Sequence, residues 1–182
     1  MSDRNILNME DDLIVFGTDQ EQISALVDTI TELTSEDDMK LVLIDSIGRF
    51  DCFYNNSHLL VQPISDAEEQ RLFFEWLNKK IRERLELLAG ENLTYLEQYN
   101  NDYPDNKLPY ILIIAHEVTD LNLSENIDVQ RALLYDDNAG VYFLVFSKAA
   151  REDLKLETEL NMFKLMKYDE VLSLITSKGM EP

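Results

Sequence analysis

Residues 13–16, 40–45, 110–115 and 141–146 form four short apolar runs rich in Ile, Val, Leu and Phe. Unbroken runs of this length predict strands covered on both faces, as in a parallel sheet. Between them the spacing becomes helical. Ile23, Leu26, Val27, Ile30 and Leu33 share one stripe, and Phe73, Leu77, Ile81, Leu85 and Leu88 share another. Ser65 with Glu68 three residues on predicts a capping box opening this second helix, which should stop near Gly90. Its charged residues, including Lys79, Lys80, Arg82 and Arg84, are expected on the wet face. Residues 100–107 are polar, contain Pro104 and predict a loop; a helix should follow Ser124, and residues 136–140 predict a turn. Strands alternating with helices imply an α/β fold, a three-layer sandwich with helices on both sheet faces. Neither a repeat nor a low-complexity linker splits residues 1–182, so a single domain is expected.

Composition narrows the function. The 36 acidic residues against 16 basic ones give a formal charge of -20, a field that repels DNA, RNA and anionic lipid. Direct nucleic-acid binding is therefore not expected. Cys52 is the only cysteine, which excludes an internal disulfide. With no cationic-then-apolar leader at the N-terminus, a cytoplasmic location is expected. The apolar runs fall well short of the roughly 20 residues of a membrane helix, so any membrane attachment would come through other parts of a larger protein.

The stretch LIVFGTDQEQISALVDTI, residues 13–30, has the strand–turn–helix layout of a phosphate-binding loop. Such a loop reads GxxxxGK[ST]: its backbone N–H groups cradle phosphates, its lysine meets the terminal phosphates and its hydroxyl holds magnesium. Here residues 17–24 read GTDQEQIS, with Gln22 at the second glycine and Ile23 at the lysine. Asp19 and Glu21 add carboxylates. At an effective dielectric of 20, a unit charge near 4 Å contributes on the order of 4 kcal/mol, against about 8 kcal/mol for micromolar affinity. Losing one cation and gaining two anions is expected to abolish ordinary triphosphate binding unless the loop turns those carboxylates outward.

Other chemistries are weaker. His58 and His116 are the only histidines and, with one cysteine, supply no zinc set by spacing, so no metal site is expected. The runs Glu36-Asp37-Asp38 and Asp136-Asp137 read as solvated turns, and Ser57 beside His58 lacks a nucleophile-elbow pattern. Cys52, between Phe50 and Phe53, reads as packing; Tyr54 and Tyr103 read as loop residues closing a surface.

Several stretches occur together in a recognisable order: KLVLIDS (40–46), EWLNKKIRERLELL (75–88), YLEQYN (95–100), LPYILIIAHEVTDL (108–121) and DDNAGVYFLVFSKAA (136–150). In that order they resemble the FtsK/SpoIIIE family of motor ATPases. The resemblance implies a RecA-like P-loop NTPase three-layer sandwich with a mostly parallel central sheet. Gly17, Thr18 and Ser24 match the phosphate loop, and Glu117 matches the glutamate that would polarise the attacking water. His116 stands at the magnesium-linked aspartate and Ser147 at the sensor threonine, while Lys148 and Ala149 replace the glutamine and arginine that follow it. By resemblance, Gly17, Thr18, Ser24 and Lys148 are vestigial cofactor-binding residues and Glu117 a residual catalytic one, with ATP and magnesium disfavoured.

Within that family, the likeness is greatest to a degenerate C-terminal ATPase domain of a type VII secretion ATPase (EssC/EccC-type), part of a membrane-anchored complex. This implies as partners the neighbouring ATPase domains of the same motor and secreted WXG100-type protein substrates. Two alternatives stand beside it: a slow ATPase using Ser24, Glu117 and Lys148, or an inactive partner subunit of a DNA translocase with a basic companion protein.

Overall fold

The computed structural model describes residues 11–123, 125–150 and 163–177. The four expected strands form as β1 (Leu13–Phe16), β2 (Met39–Ile44), β3 (Tyr110–Ala115) and β4 (Val141–Ser147), and a fifth, β5 (Lys164–Lys167), joins them. The order is β2-β3-β4-β1-β5, and every neighbouring pair is parallel. The unbroken apolar runs are two interleaved faces of period two. Ile14, Val42, Ile113 and Phe143 pack with Phe74, Leu77 and Val129 on one side. Leu13, Leu41, Leu112 and Leu144 pack with Ile23, Leu26 and Val171 on the other.

The helices are α1 (Gln20–Leu33), α2 (Ala67–Gly90), α3 (Leu96–Asp102), α4 (Ile127–Ala139) and α5 (Tyr168–Thr176). With α2 and α4 on one face and α1 and α5 on the other, the three layers are complete. Among the described residues, no helix is long and apolar enough to cross a membrane.

Several local expectations are corrected. The cap of α2 is Asp66, whose carboxylate accepts from the N–H groups of Glu68 and Glu69, not Ser65; an anion one residue closer meets the helix dipole better than a hydroxyl. Residues 100–107 are not all loop. They include the end of α3 and a 3₁₀ turn, Pro104–Asn106, and the Asn100 amide both accepts from Leu108 N–H and donates to Leu108 O at 2.9 Å. Residues 136–139 continue α4 to Ala139, and Gly140 alone turns the chain, with φ +70°. Cys52 is exposed, whereas its neighbours Phe50 and Phe53 are buried, because the 3₁₀ turn Asp51–Phe53 points the thiol outward.

Arg84 is buried, not wet. Its two terminal nitrogens donate to Ala139 O and Pro109 O, each at 2.8 Å, stapling α2 to the segments that lead into β3 and β4. Burial without a carboxylate partner pulls its pKa down to about 10. His58 is likewise structural, its Nε2 3.0 Å from Thr34 O, while Ser57 is exposed. The acidic run at 36–38 is the expected turn, with Glu36 and Asp37 exposed; the side chains of Asp136 and Asp137 lie outside the described ones.

Candidate functional site at the carboxyl edge of the sheet

In an open parallel sheet, ligands bind outside the carboxyl ends of the strands. The residues matched to an ATPase site gather there, at the ends of β1, β3 and β4, with Ser24 in the first turns of α1. Their arrangement differs from a phosphate loop in one respect that decides the chemistry. In such a loop the helix follows the lysine; here α1 begins at Gln20, so Gln22, Ile23 and Ser24 already lie inside it. Only Gly17, Thr18 and Asp19 connect β1 to α1.

The N–H groups of this short turn are consumed within the chain. Gly17, at φ +69°, donates to Ala149 O and Thr18 donates to Ser147 O, each at 3.1 Å. The Thr18 hydroxyl also donates to Ser147 O, at 3.3 Å. Asp19 and Gln22 form a reciprocal capping box: Gln22 N–H donates to the Asp19 carboxylate at 2.9 Å, and Asp19 N–H to the Gln22 side-chain oxygen at 3.1 Å. A carboxylate thus sits where a helix N-terminus would otherwise receive an anion. Ile23, at the lysine position, is fully buried in the core.

Beside this turn, His116 at the end of β3 is fully buried and central to a side-chain network. The Arg49 guanidinium donates to its Nδ1, and its Nε2 donates to the side-chain oxygen of Gln20. The Gln20 amide nitrogen in turn donates to Ser24 Oγ at 3.2 Å and to Arg49 O at 3.4 Å. These partners assign a neutral imidazole protonated at Nε2. Burial first, and then the nearby Arg49 charge, hold its pKa below the ordinary value of 6.5. The Phe50 ring packs edge-on to the imidazole, centroids 5.6 Å apart.

The carboxylates nearby are engaged too. Asp45, after β2, accepts from the N–H groups of Ile47 and Arg49. Asp120 accepts from the Ser46 hydroxyl at 2.6 Å and from Glu117 N–H at 3.0 Å. Glu117 accepts from Lys148 N–H at 3.2 Å, so the residual glutamate is tied to the tip of β4.

Of the sequence-assigned residues, Gly17 and Thr18 meet at the Ser147 tip, and Glu117 and Lys148 meet each other. Ser24 stands apart from both pairs and belongs to the His116 network, accepting from Gln20. Sequence reasoning missed Gln20, Asp45, Arg49 and Asp120. It also missed that ligand atoms of Asp45, His116 and Asp120 come within 4.8 Å of one another. Their spacings fit no metal motif, and only the strand order brings 45 beside 116. The space left next to the turn, about 360 Å³, is lined by Phe16, Gly17, Gln22, Lys167, Tyr168 and Asp169.

A larger concavity, about 650 Å³, lies on another surface, between α2 and the segment before it. Leu72 and Trp76, one helical turn apart, are 52% and 38% exposed there, beside Val61 and Tyr54.

No family model matches the chain. In sequence it is similar to DNA translocase FtsK of Clostridium acetobutylicum, 28% identical over 104 residues, covering 54% of this chain and 14% of that protein. It is also similar to FtsK of Caldanaerobacter subterraneus subsp. tengcongensis, 25% identical over 137 residues, 72% of this chain and 19% of that one. The chain thus spans less than a fifth of the length of these curated relatives. In fold it resembles the pCW3 conjugation coupling protein TcpA, in its monomer form with ATPγS: TM-score 0.68, 12% identity, 94% of this chain and 53% of that one. EssC (ATPases 2 and 3) of Geobacillus thermodenitrificans gives 0.66 and 12%, over 96% and 35%. Thermomonospora curvata EccC (ATPases 2 and 3), in complex with a signal sequence peptide, gives 0.60 and 11%, over 78% and 25%. The resemblance to FtsK/SpoIIIE-type P-loop ATPases, with a fold like that of type VII secretion ATPase domains, therefore holds in both sequence and structure.

Proposed function

We propose that this chain is a non-catalytic ATPase-like module of a type VII protein secretion motor, acting in substrate recognition or in control of neighbouring ATPase domains. One observation carries the non-catalytic half: the turn after β1 spends the N–H groups of Gly17, Thr18, Asp19 and Gln22 on its own chain. A phosphate entering there would have to break those bonds and displace the Asp19 carboxylate, with no lysine to repay the loss. Glu117, held by the β4 tip, then has no phosphoryl group to act on. Vestigial roles for Gly17, Thr18, Ser24 and Lys148 follow from the same reading.

The secretion half is supported by the likeness to EssC and EccC, whose ATPase domains occur in tandem, and by the peptide bound in the EccC complex. For this chain the fitting occupant of the Leu72–Trp76 groove is an apolar peptide segment of a secreted protein substrate. The groove is lined chiefly by apolar side chains and carries one carboxylate, Glu69. The charge of -20 disfavours direct DNA contact by this chain, so the DNA-translocase alternative requires its basic companion protein.

Titration of magnesium-ATP into the purified chain, read by calorimetry and phosphate release, tests the first half. No heat of binding and no turnover are expected. Micromolar binding with turnover would overthrow it in favour of the slow-ATPase alternative.

A further inference from the structure

We propose that the Arg49 guanidinium is the resident cation of the crevice, a tethered replacement for a divalent ion among Asp45, His116 and Asp120. The proposal rests on the non-catalytic reading and gives it a physical cause. One imidazole and two carboxylates, with ligand atoms within 4.8 Å of one another, form a donor set suited to Mn²⁺, Co²⁺ or Zn²⁺. The charges that face the imidazole are Asp45 and Asp120 on one side of the balance and Arg49 and Lys148 on the other. Of the two cations, Arg49 alone bonds the ring, taking the Nδ1 lone pair while Nε2 is held by Gln20, so neither ring nitrogen is left open to a metal. The Lys148 side chain is exposed.

The chain holds Arg49 there at several points. Gly48, at φ +75°, reverses the backbone so that Arg49 N–H closes on the Asp45 carboxylate. A Cβ on Gly48 would stand 3.2 Å from the Asp51 carboxylate, so this reversal needs glycine on two counts. At the other end, the Arg49 carbonyl accepts from Gln20. A guanidinium keeps its charge at every physiological pH. As a covalently tethered group it competes at an effective concentration on the order of millimolar, well above a free micromolar metal ion. The bond from Arg49 N–H to Asp45 belongs to the backbone and survives any substitution at 49 other than proline, so it is the guanidinium that acts, offsetting the local negative charge and occupying Nδ1 of His116.

Cobalt(II) titration of the whole chain, followed by visible absorption and calorimetry, tests this. Wild type is expected to show only the spectrum of the aqueous ion. Arg49→Ala is expected to gain a distinct absorption band saturating at about one equivalent, and Arg49→Ala with His116→Ala to lose it. Arg49→Gln, which keeps the side-chain bulk without the charge, serves if the alanine variant does not fold, and the same gain is expected. Either folded single variant lacking the band overturns the proposal, as does a wild-type chain that binds cobalt through His116. Turnover of magnesium-ATP by wild type would overturn the non-catalytic reading separately, whatever the cobalt result.

Discussion

His116 Nε2 donates to the side-chain oxygen of Gln20, tying the end of β3 to the first turn of α1 across the mouth of the crevice. That donation is open to either protonation state; it is the second bond, from the Arg49 guanidinium to Nδ1, that requires a neutral ring. Burial and Arg49 hold the folded pKa below the ordinary 6.5; Asp45 and Asp120 act in the opposite sense and Lys148 in the same one. The unfolded chain therefore takes up a proton that the folded chain refuses. This contribution to stability is complete above the unfolded pKa and falls as pH drops through it towards the folded pKa. In urea denaturation from about pH 7.5 to about pH 5, His116→Gln is expected to lose stability less steeply than wild type. Equal slopes would contradict the neutral-ring assignment.

Ile23→Lys restores a lysine at the motif position, and the structure forecasts damage, not rescue. Ile23 is fully buried against Leu26, Val27 and the sheet, one turn into α1. A lysine there loses the core contacts and buries an ammonium group with no partner, a cost of about 3 kcal/mol or more. Ile23→Val, which removes one methyl group, is expected to cost about 1 kcal/mol. Chemical denaturation gives both numbers. An Ile23→Lys chain that keeps its stability and binds ATP would show that the loop can adopt the long form.

The layers were legible because each buried strand is an apolar run and each helix repeats its apolar residues at helical spacing. What stayed illegible has local causes. The run KLMK of β5 ends in lysine on both sides and lies at the sheet edge, so neither alternation nor an apolar run marks it. Arg49 sits in the polar stretch DSIGRF, where no periodicity says which way a side chain points. Its role depends on Gly48 and on β2 lying beside β3, a pairing of residues about seventy positions apart. Arg84 looked exposed because it sits in a charged run, yet the stripe it joins is the one that meets Ala139 and Pro109. The altered loop letters are visible in GTDQEQIS, and so is the capping-box pair Asp19 and Gln22 that shortens the turn, a signal overlooked when the stretch is matched to the longer phosphate-loop pattern.

Two glycines separate backbone need from helix propensity. At Gly140 φ is +70°, and a Cβ would lie 2.3 Å from Leu96 Cδ2 and 3.0 Å from Tyr110 Cδ1. Gly140→Ala is expected to cost about 2 kcal/mol or more, combining left-handed strain with overpacking. At Gly90, the last residue of α2, a Cβ meets nothing within 4 Å and φ is not positive. Gly90→Ala is expected to be neutral or to stabilise by about 0.5 kcal/mol. Thermal melts of the two variants should move in opposite directions or differ by several degrees; matching shifts would refute the turn assigned to Gly140.

Trp76 is the only tryptophan in the chain, and its place in the groove makes it a reporter of whatever docks there. With the residue 38% exposed, its indole emission is expected to be partly quenchable by acrylamide in the free protein. An apolar peptide laid between Leu72 and Val61 would remove water from the ring, shifting the emission to the blue and reducing quenching. Leu72→Glu puts a charge on a surface that is 52% exposed, so stability should change by less than about 0.5 kcal/mol while peptide binding weakens by about tenfold or more. The informative comparison uses signal-sequence peptides of secreted helical proteins against a scrambled control, with Leu134→Glu as a charge control on an exposed position of α4. If Leu72→Glu and Leu134→Glu weaken binding equally, or if the scrambled peptide shifts Trp76 as far as the true one, the groove is not the docking surface and the recognition role must be sought elsewhere on the domain.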